Sequence, residues 1–339
     1  MCGICGKLSY GGVQVDEALL RRMCRSLVYR GPDDEGVFVS SNSESQNSKV
    51  QVGLGHTRLR VIDLSDAGHQ PMCNEDETIW LVYNGEIYNF KEIRTELKEK
   101  GHRFRSDTDS EVIIHLYEEE GIDCLKRLNG MFALCIWDER LQKLWLCRDR
   151  LGIKPLVYYW DGETLIFSSE IKGILCDSKV RKEIDWSALN LYLTFNYIPA
   201  PKTIFKNIRK LEAGHYLLAE GKTVVTRKYW DINTDITPPQ NKPEKSSDQI
   251  GFYKKRLYGL MENAVQKRMI SDVQLGAFLS GGIDSSIIVG LMARNSERPV
   301  KTFSIGYKDM PLFDETRYSR EVARFNKTEH YEFKLDYKD

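Results

Sequence analysis

Met1-Cys2-Gly3-Ile4-Cys5-Gly6-Lys7-Leu8-Ser9-Tyr10, closed by Gly11-Gly12, decides how the front of this chain is read. Residues 2–10 read as a short strand that ends at the glycine pair. Its first residue carries the chemistry. The small side chain of Cys permits removal of Met1, and Cys2 would then hold a thiol and a free α-amine on one carbon. A thiol with a pKa near ~8.5 is only slightly ionised at neutral pH. An α-amine that titrates near ~8 can take the thiol's proton and later return it to a leaving amine. The expectation is a nucleophile presented at the head of a strand. Cys2 and Cys5 also form a CxxC pair, but no second CxxC or HxxxH supplies the rest of a zinc site, and no βαβ unit surrounds it.

The 339 residues suggest two domains, and 41% hydrophobic with 29% charged residues is an ordinary globular balance. A net charge of zero favours neither nucleic acid nor an anionic membrane as partner. No basic segment followed by an apolar run opens the chain, and no apolar run approaches the ~20 residues of a membrane span. A cytoplasmic protein is expected. Its eight scattered cysteines then default to reduced thiols, with Cys135 and Cys147 as small core residues.

Asp16 is an expected N-cap for a helix carrying Leu19, Leu20, Met23 and Leu27. Arg30 to Asp34 reads as a loop, and Ser40 to Lys49 as a Ser/Asn-rich surface insertion. Val52–His56 leads into Thr57–Ile62, and Thr78–Tyr83 ends at Asn84-Gly85, a turn signal. Asn89 caps a helix that Gly101 stops, and a second helix with Val112, Ile113, Leu116 and Tyr117 stops at Gly121. Short strands are expected at 132–137, 143–147, 156–160, 164–167, 214–218 and 223–229, with a helix near 186–194. Strand runs flanked by helices imply two packed antiparallel sheets with helices outside.

The proline-bearing stretch 233–248 reads as a linker. After it come a long amphipathic helix from Ile250, a buried-strand run Val273–Leu279, the loop Ser280-Gly281-Gly282-Ile283-Asp284-Ser285-Ser286, a helix at Ile287–Met292, and a strand at Lys301–Ile305. Strand, loop, helix, strand is one βαβ unit of a parallel sheet. Two glycines, three hydroxyls and a helix N-terminus at one mouth suit a phosphate. The loop is neither a Walker A loop nor a GxGxxG turn. Without a ligand it would be a plain strand–helix turn.

Ser280-Gly281-Gly282-Ile283-Asp284-Ser285 resembles the pyrophosphate loop of ATP-pyrophosphatase enzymes. Cys2-Gly3-Ile4, Arg30-Gly31-Pro32-Asp33, His56-Thr57-Arg58-Leu59, Tyr83-Asn84-Gly85-Glu86, Asp109-Ser110-Glu111, Arg148-Asp149-Arg150 and Ser168-Ser169-Glu170 resemble the class II glutamine amidotransferase domain. In this order, the two resemble the glutamine-hydrolysing asparagine synthetase family, from residue 2 to the end of the chain. The resemblance implies an α+β N-terminal nucleophile domain (an α/β/β/α sandwich) at 2–232, then an incomplete α/β parallel-sheet ATP-pyrophosphatase domain at 249–339. It implies Cys2 as nucleophile, with Asn84 and Gly85 as oxyanion hole. It implies glutamine binding by Arg58 (α-carboxylate), Asp109 (α-ammonium), Glu86, and a strand formed by Leu59, Arg60, Val61 and Ile62. ATP would meet Leu279, Ser280, Gly281, Gly282, Asp284, Ser285 and Ile305, with Mg²⁺ on its phosphates and the role of Asp284 left open.

The implied reaction makes asparagine from aspartate with ammonia from glutamine, converting ATP to AMP and pyrophosphate. Singly, Arg58 reads as a surface charge, Asp109 as a helix N-cap and Asn84-Gly85 as a hairpin turn. Asp149 and Lys154 read as structural. The family's synthetase domain continues well beyond where this chain stops, at Asp336-Tyr337-Lys338-Asp339. A fragment, a glutaminase alone, an amidotransferase for another carboxylate and a non-catalytic sensor of glutamine or nucleotide therefore stay open, as does a homodimer.

Overall fold

The computed structural model describes residues 1–12, 14–40, 50–232, 246–308 and 310–336, without the side chains of 246–248 and 311. The Ser/Asn-rich insertion at 41–49, most of the expected linker, and Tyr337 to Asp339 lie outside the described residues. The chain divides into two compact units, Met1–Asn233 and Thr234–Asp339.

In the first unit the order is β1 (Gly3–Tyr10), α1 (Glu17–Ser26), β2 (Asp34–Val39), β3 (Val50–Arg58), β4 (Met72–Cys73), β5 (Ile79–Ile87), α2 (Phe90–Glu99) and α3 (Glu111–Glu120). Then come β6 (Gly130–Asp138), β7 (Lys143–Arg148), β8 (Val157–Trp160), β9 (Thr164–Ser168), α4 (Ile171–Ile174), α5 (Trp186–Phe195), β10 (Ile208–Lys210), β11 (His215–Glu220) and β12 (Thr223–Lys228). They form two six-stranded sheets, β10-β8-β9-β1-β3-β2 and β12-β11-β7-β6-β5-β4. Among the described residues every pairing between strands of these sheets is antiparallel, as the strand runs imply.

The pleat explains the layers. Ile4 and Leu8 of β1 face inward and pack with Val52, Leu54, Val82, Cys135, Trp137 and Leu146 between the sheets. Cys5, one residue out of phase, faces the other way and packs with Leu20, Met23, Cys24 and Ile166 beneath α1. All eight residues of β1 are buried. Asp16 caps α1 by accepting from the Ala18 N–H at 2.9 Å.

Two expectations fail here. Asn84-Gly85 is not a turn: β5 runs through it to Ile87, with Asn84 opposite Ala133 and Gly85 opposite Phe132. Pairing along the whole length of β6 overrides a local turn preference. Leu59–Ile62 is not strand either. β3 ends at Arg58, and the Arg60 N–H leaves the ladder to donate to Asp33 Oδ2 at 2.9 Å.

The second unit contains α6 (Ser246–Lys267), β13 (Gly276–Phe278), α7 (Ile283–Arg294), β14 (Lys301–Tyr307), α8 (Thr316–Asn326) and β15 (Glu329–Leu335). Its strands form a parallel sheet in the order β13-β14-β15. The expected buried run at 273–279 shrinks to three strand residues, with Phe278 81% exposed. The helix starts at Ile283, so Asp284 and Ser285 lie in its first turn. Among the described residues, no helix is long and apolar enough to cross a membrane.

On the outer face of β1, the Lys7 ammonium meets Asp177 at 2.6 Å, with both residues buried. Burial would raise the Asp177 carboxyl, but Lys7 and the Lys179 N–H outweigh it and hold it below the usual range. Lys7→Ala leaves a buried charge without its partner and should cost roughly 3–5 kcal/mol in urea unfolding, whereas a Lys7→Met, Asp177→Leu double variant should lose much less.

Candidate active site

Cys2 lies at the head of β1, and its backbone is pinned from three sides. Arg30 Nε donates to the Cys2 carbonyl at 3.0 Å, and Arg30 Nη1 reaches Glu170 at 2.9 Å. The next residue but one, Ile4, donates to Ser169 Oγ at 3.0 Å and accepts from the Ser169 N–H at 2.8 Å. The thiol sulfur accepts from the Leu59 N–H at 3.4 Å. Burial pushes the Cys2 thiol up, so the resting thiol is protonated near neutrality.

Beside it runs the open edge of β5. Alternate residues of a strand aim their N–H groups at the same edge. The Tyr83 N–H donates to Gln70 Oε1 at 2.7 Å, and the Ile87 N–H donates to Asp109 Oδ2 at 2.7 Å. Gly85 lies between them with the same polarity. Phe132, opposite Gly85 on β6, spends its own N–H and C=O on Asp149. A Cβ at Gly85 would lie 2.5 Å from the Met131 carbonyl and 2.6 Å from the Tyr83 ring, so only glycine fits. Asn84 is buried, and its side-chain Nδ2 has no hydrogen-bond partner among the described residues. Leaving such a donor unpaired costs roughly 1–3 kcal/mol, a cost that a ligand oxygen would remove.

One cavity of about 160 Å³ gathers Cys2, Arg58, Leu59, Val61, Ile62, Asn84, Gly85, Glu86 and Asp109. A cavity of roughly 150 Å³ accepts a benzene ring, so this one suits a molecule the size of an amino acid. Arg58 is held by its Nη1 donating to the Ser65 carbonyl at 2.7 Å and its Nη2 to the Asp63 carbonyl at 2.5 Å. Each Nη carries two N–H bonds, so the fork keeps donors for an anion. Asp109 accepts from the Tyr83 hydroxyl at 2.7 Å. Burial raises its carboxyl despite the Ile87 and Tyr83 hydrogen bonds. It is not a helix N-cap, because Ser110 occupies that position.

Arg60 is absent from the cavity wall. Its guanidinium points outward to the Leu64 carbonyl and Asp66. Sequence reasoning missed Lys154 as a site residue. It is buried, lines the cavity, and its ammonium is lowered by burial while Glu86 and Cys2 act to raise it. Asp149 aims it: the Asp149 Oδ2 accepts the Lys154 N–H at 2.9 Å, and its Oδ1 accepts those of Leu151 and Ile153. Gln70, Tyr83 and Thr108 also line the cavity without having been expected there, Gln70 coming from a segment with no periodic signal.

In the second unit, a cavity of about 450 Å³ brings together Leu279, Ser280, Ser285 and Ile305. Ser280 Oγ and Ser285 Oγ are 3.0 Å apart at the start of α7, whose N-cap Gly282 supplies no side-chain cap. Gly281 has φ +84°, and a Cβ there would lie 2.5 Å from the Ser319 nitrogen. Asp284 is exposed on the first turn of α7 and lies outside the cavity wall, while Glu315 lies on it.

A two-sheet sandwich with a cysteine at the head of an inner strand is the architecture of N-terminal-nucleophile glutamine amidotransferases. A solved structure described as the allosteric regulatory enzyme of purine biosynthesis shares the fold, with TM-score 0.51 and 14% identity over 98% of this chain and 80% of that one. Residues 1–230 match the family described as glutamine amidotransferase domain, and the chain belongs to that family. Residues 256–339 match the family described as asparagine synthase. The chain is 41% identical, over its whole length, to 66% of a Methanocaldococcus jannaschii protein named "Putative asparagine synthetase (glutamine-hydrolyzing) 2". It is 35% identical to Bacillus subtilis asparagine synthetase (glutamine-hydrolyzing) 3 over 91% of this chain and 48% of that protein. The chain thus spans from just under half to about two thirds of the length of these relatives.

His56 of β3 ties the first sheet to the second. Its Nε2 lies 3.1 Å from the Tyr83 carbonyl, which can only accept, so Nε2 carries the proton. Burial drives the imidazole down to about 3. The unfolded chain binds a proton on this residue below about 6.5 and the folded chain does not. Stability should therefore fall as pH drops from 6.5, by up to about 1.4 kcal/mol per unit for this group. Urea unfolding between pH 6.5 and 4.5 should show that slope, and its reduction in His56→Gln.

Proposed function

We propose that this chain hydrolyses glutamine at Cys2 and serves, with its second unit, in ATP-dependent asparagine synthesis. The observation that carries the glutaminase reading is Asn84 Nδ2, without a hydrogen-bond partner among the described residues, sharing a cavity with the Cys2 thiol and the Gly85 backbone. In this reading residues 2–232 are the glutaminase domain, 233–248 the linker, and 249–339 the start of the synthetase domain. The names of the curated relatives support aspartate as acceptor, and all eight cysteines being free supports a cytoplasmic setting.

Met1 is removed, and the Cys2 α-amine takes the thiol proton. The buried thiol is a poor acid on its own, so this internal base is needed. The sulfur attacks the side-chain amide carbon of glutamine, and charge builds on the amide oxygen. The Asn84 Nδ2 and the Gly85 N–H stabilise that oxyanion. The α-amine returns the proton to the departing nitrogen, ammonia leaves, and water hydrolyses the thioester to glutamate. Arg58 holds the α-carboxylate through its two-nitrogen fork, and Asp109 with Glu86 holds the α-ammonium. Leu59, Val61 and Ile62 wall the cavity from a loop. Arg60, which points outward, acts only through its backbone.

In the second unit, the Ser280 and Ser285 hydroxyls and the uncapped amides of α7 suit the phosphates of ATP. Leu279 and Ile305 flank the nucleotide. Mg²⁺ would neutralise phosphate charge there; Glu315 lines this mouth, and Asp284 stands on the first turn of α7. The side-chain carboxylate of aspartate would attack the α-phosphorus of ATP, breaking the bond to pyrophosphate and forming an acyl-adenylate that stays bound. Ammonia would then attack its acyl carbon and displace AMP to give asparagine.

Cys2→Ala should abolish ammonia release from glutamine. In the complete enzyme it should leave ammonia-dependent asparagine formation intact, and loss of both activities contradicts the two-site division. Asn84→Ala should lower kcat for glutamine hydrolysis by roughly 10²–10³ with a smaller change in KM. Arg58→Lys should act mainly on KM.

A further inference from the structure

Three ligand-type side chains meet on the α2–α3 pair, away from the wall of the Cys2 cavity. Gly101, at φ +102°, ends α2, and the His102 N–H then donates to the Leu97 carbonyl at 3.0 Å. That turn folds His102 back against α3. On α3, His115 and Glu118 are three residues apart and so share one face. The two imidazole centroids are 4.8 Å apart, and one donor atom from each of the three residues lies within 4.8 Å of the others.

The orientation of the rings is the informative feature. Both turn Nδ1 toward the same oxygen, Glu118 Oε2, at 2.9 Å for His115 and 3.6 Å for His102. Donors that share a tetrahedral zinc ion at ~2.0 Å are about 3.3 Å from one another, between these two distances. His102 turns Nε2 to a second carboxylate, Glu119 Oε1, at 3.1 Å, while His115 Nε2 faces Glu111 Oε1 at 3.9 Å, beyond hydrogen-bond distance. The remaining oxygen of Glu118 accepts from Asn74 Nδ2 at 2.9 Å. A metal-binding imidazole characteristically donates its other nitrogen to a carboxylate, and a metal-binding carboxylate is itself hydrogen-bonded. Lys100, 3.1 Å from Glu119 Oε2, is the cation nearest this outer ring.

We infer that His102, His115 and Glu118 form a binding site for a divalent transition metal of the Zn²⁺ type. Two imidazoles and one carboxylate match zinc better than Mg²⁺ or Ca²⁺, which take oxygen donors. The site joins the end of α2 to the middle of α3, the helix whose preceding residues Thr108, Asp109 and Ser110 line the Cys2 cavity. A bound ion would therefore stiffen the segment that carries Asp109.

The test is titration of the full chain with Zn²⁺ by calorimetry, repeated on His102→Asn and Glu118→Gln. One equivalent should bind the parent chain, with affinity at least tenfold weaker in each variant. Co²⁺ in place of Zn²⁺ should give a visible d–d spectrum without thiolate charge transfer. His102 is the more exposed of the two rings, so His102→Asn remains decisive if the other variant does not fold. No binding, equal affinity in the variants, or a thiolate charge-transfer band would overturn the assignment; the last would place the ion on cysteines. An ion-paired imidazolium cluster alone predicts no metal uptake at this site.

Discussion

The burial of β1 on both faces is the constraint on which the first unit depends. Ile4 and Leu8 fill the space between the sheets, while Cys5 and Lys7 fill the space under the outer helices. A strand held this way cannot slip by one residue without exchanging apolar side chains for a lysine in the core. The position of Cys2 follows from that register. Arg30, Ser169 and Glu170 then fasten the last few ångströms of chain, so the nucleophile stands at the end of a rigid element.

The second sheet supplies what the first cannot. β5 is paired on one side by β6, but among the described residues its other edge has no partner strand beyond Leu81. Edge donors are normally a liability. Here Gln70 and Asp109 cover Tyr83 and Ile87, and between them the Gly85 position faces the cavity, where a substrate atom could meet it. His56, kept neutral by burial, bonds across the sheets to the Tyr83 carbonyl beside Asn84. Thiol and donors therefore belong to different sheets but share one cavity, with geometry set by core packing.

The second unit is organised differently. Its short parallel sheet and the start of α7 shape a phosphate-like mouth, yet its apolar core centres on Leu279, Val289 and Ala323. Phe278, Ile283, Leu312 and Phe325 are largely exposed. Parallel sheets in α/β proteins are normally covered on both faces. The mouth rests on local geometry at Gly281 and Gly282 more than on a large core.

By itself the sequence determined the residue types of the chemistry, a cysteine at position 2 and a Gly/Ser loop before a helix, and the runs of strands flanked by helices that imply two packed antiparallel sheets. These are legible because strand period, capping by Asp16 and glycine stops at Gly101 and Gly121 act over a few residues. Tertiary structure alone decided that Asn84-Gly85 lies inside a strand, that Leu59–Ile62 leaves one, and that Arg60 faces outward. It also decided that Lys154 turns into the cavity and that His102 meets His115 and Glu118. Three of these depend on a partner distant in the chain: Phe132 opposite Gly85, Asp33 accepting the Arg60 N–H where the chain leaves β3, and the return of α3 for His102; the Arg60 guanidinium and Lys154 are set by the nearer Asp66 and Asp149. At Asn84-Gly85 the long-range pairing outweighs local preference, because a run of ladder bonds along β6 is worth more than one turn propensity.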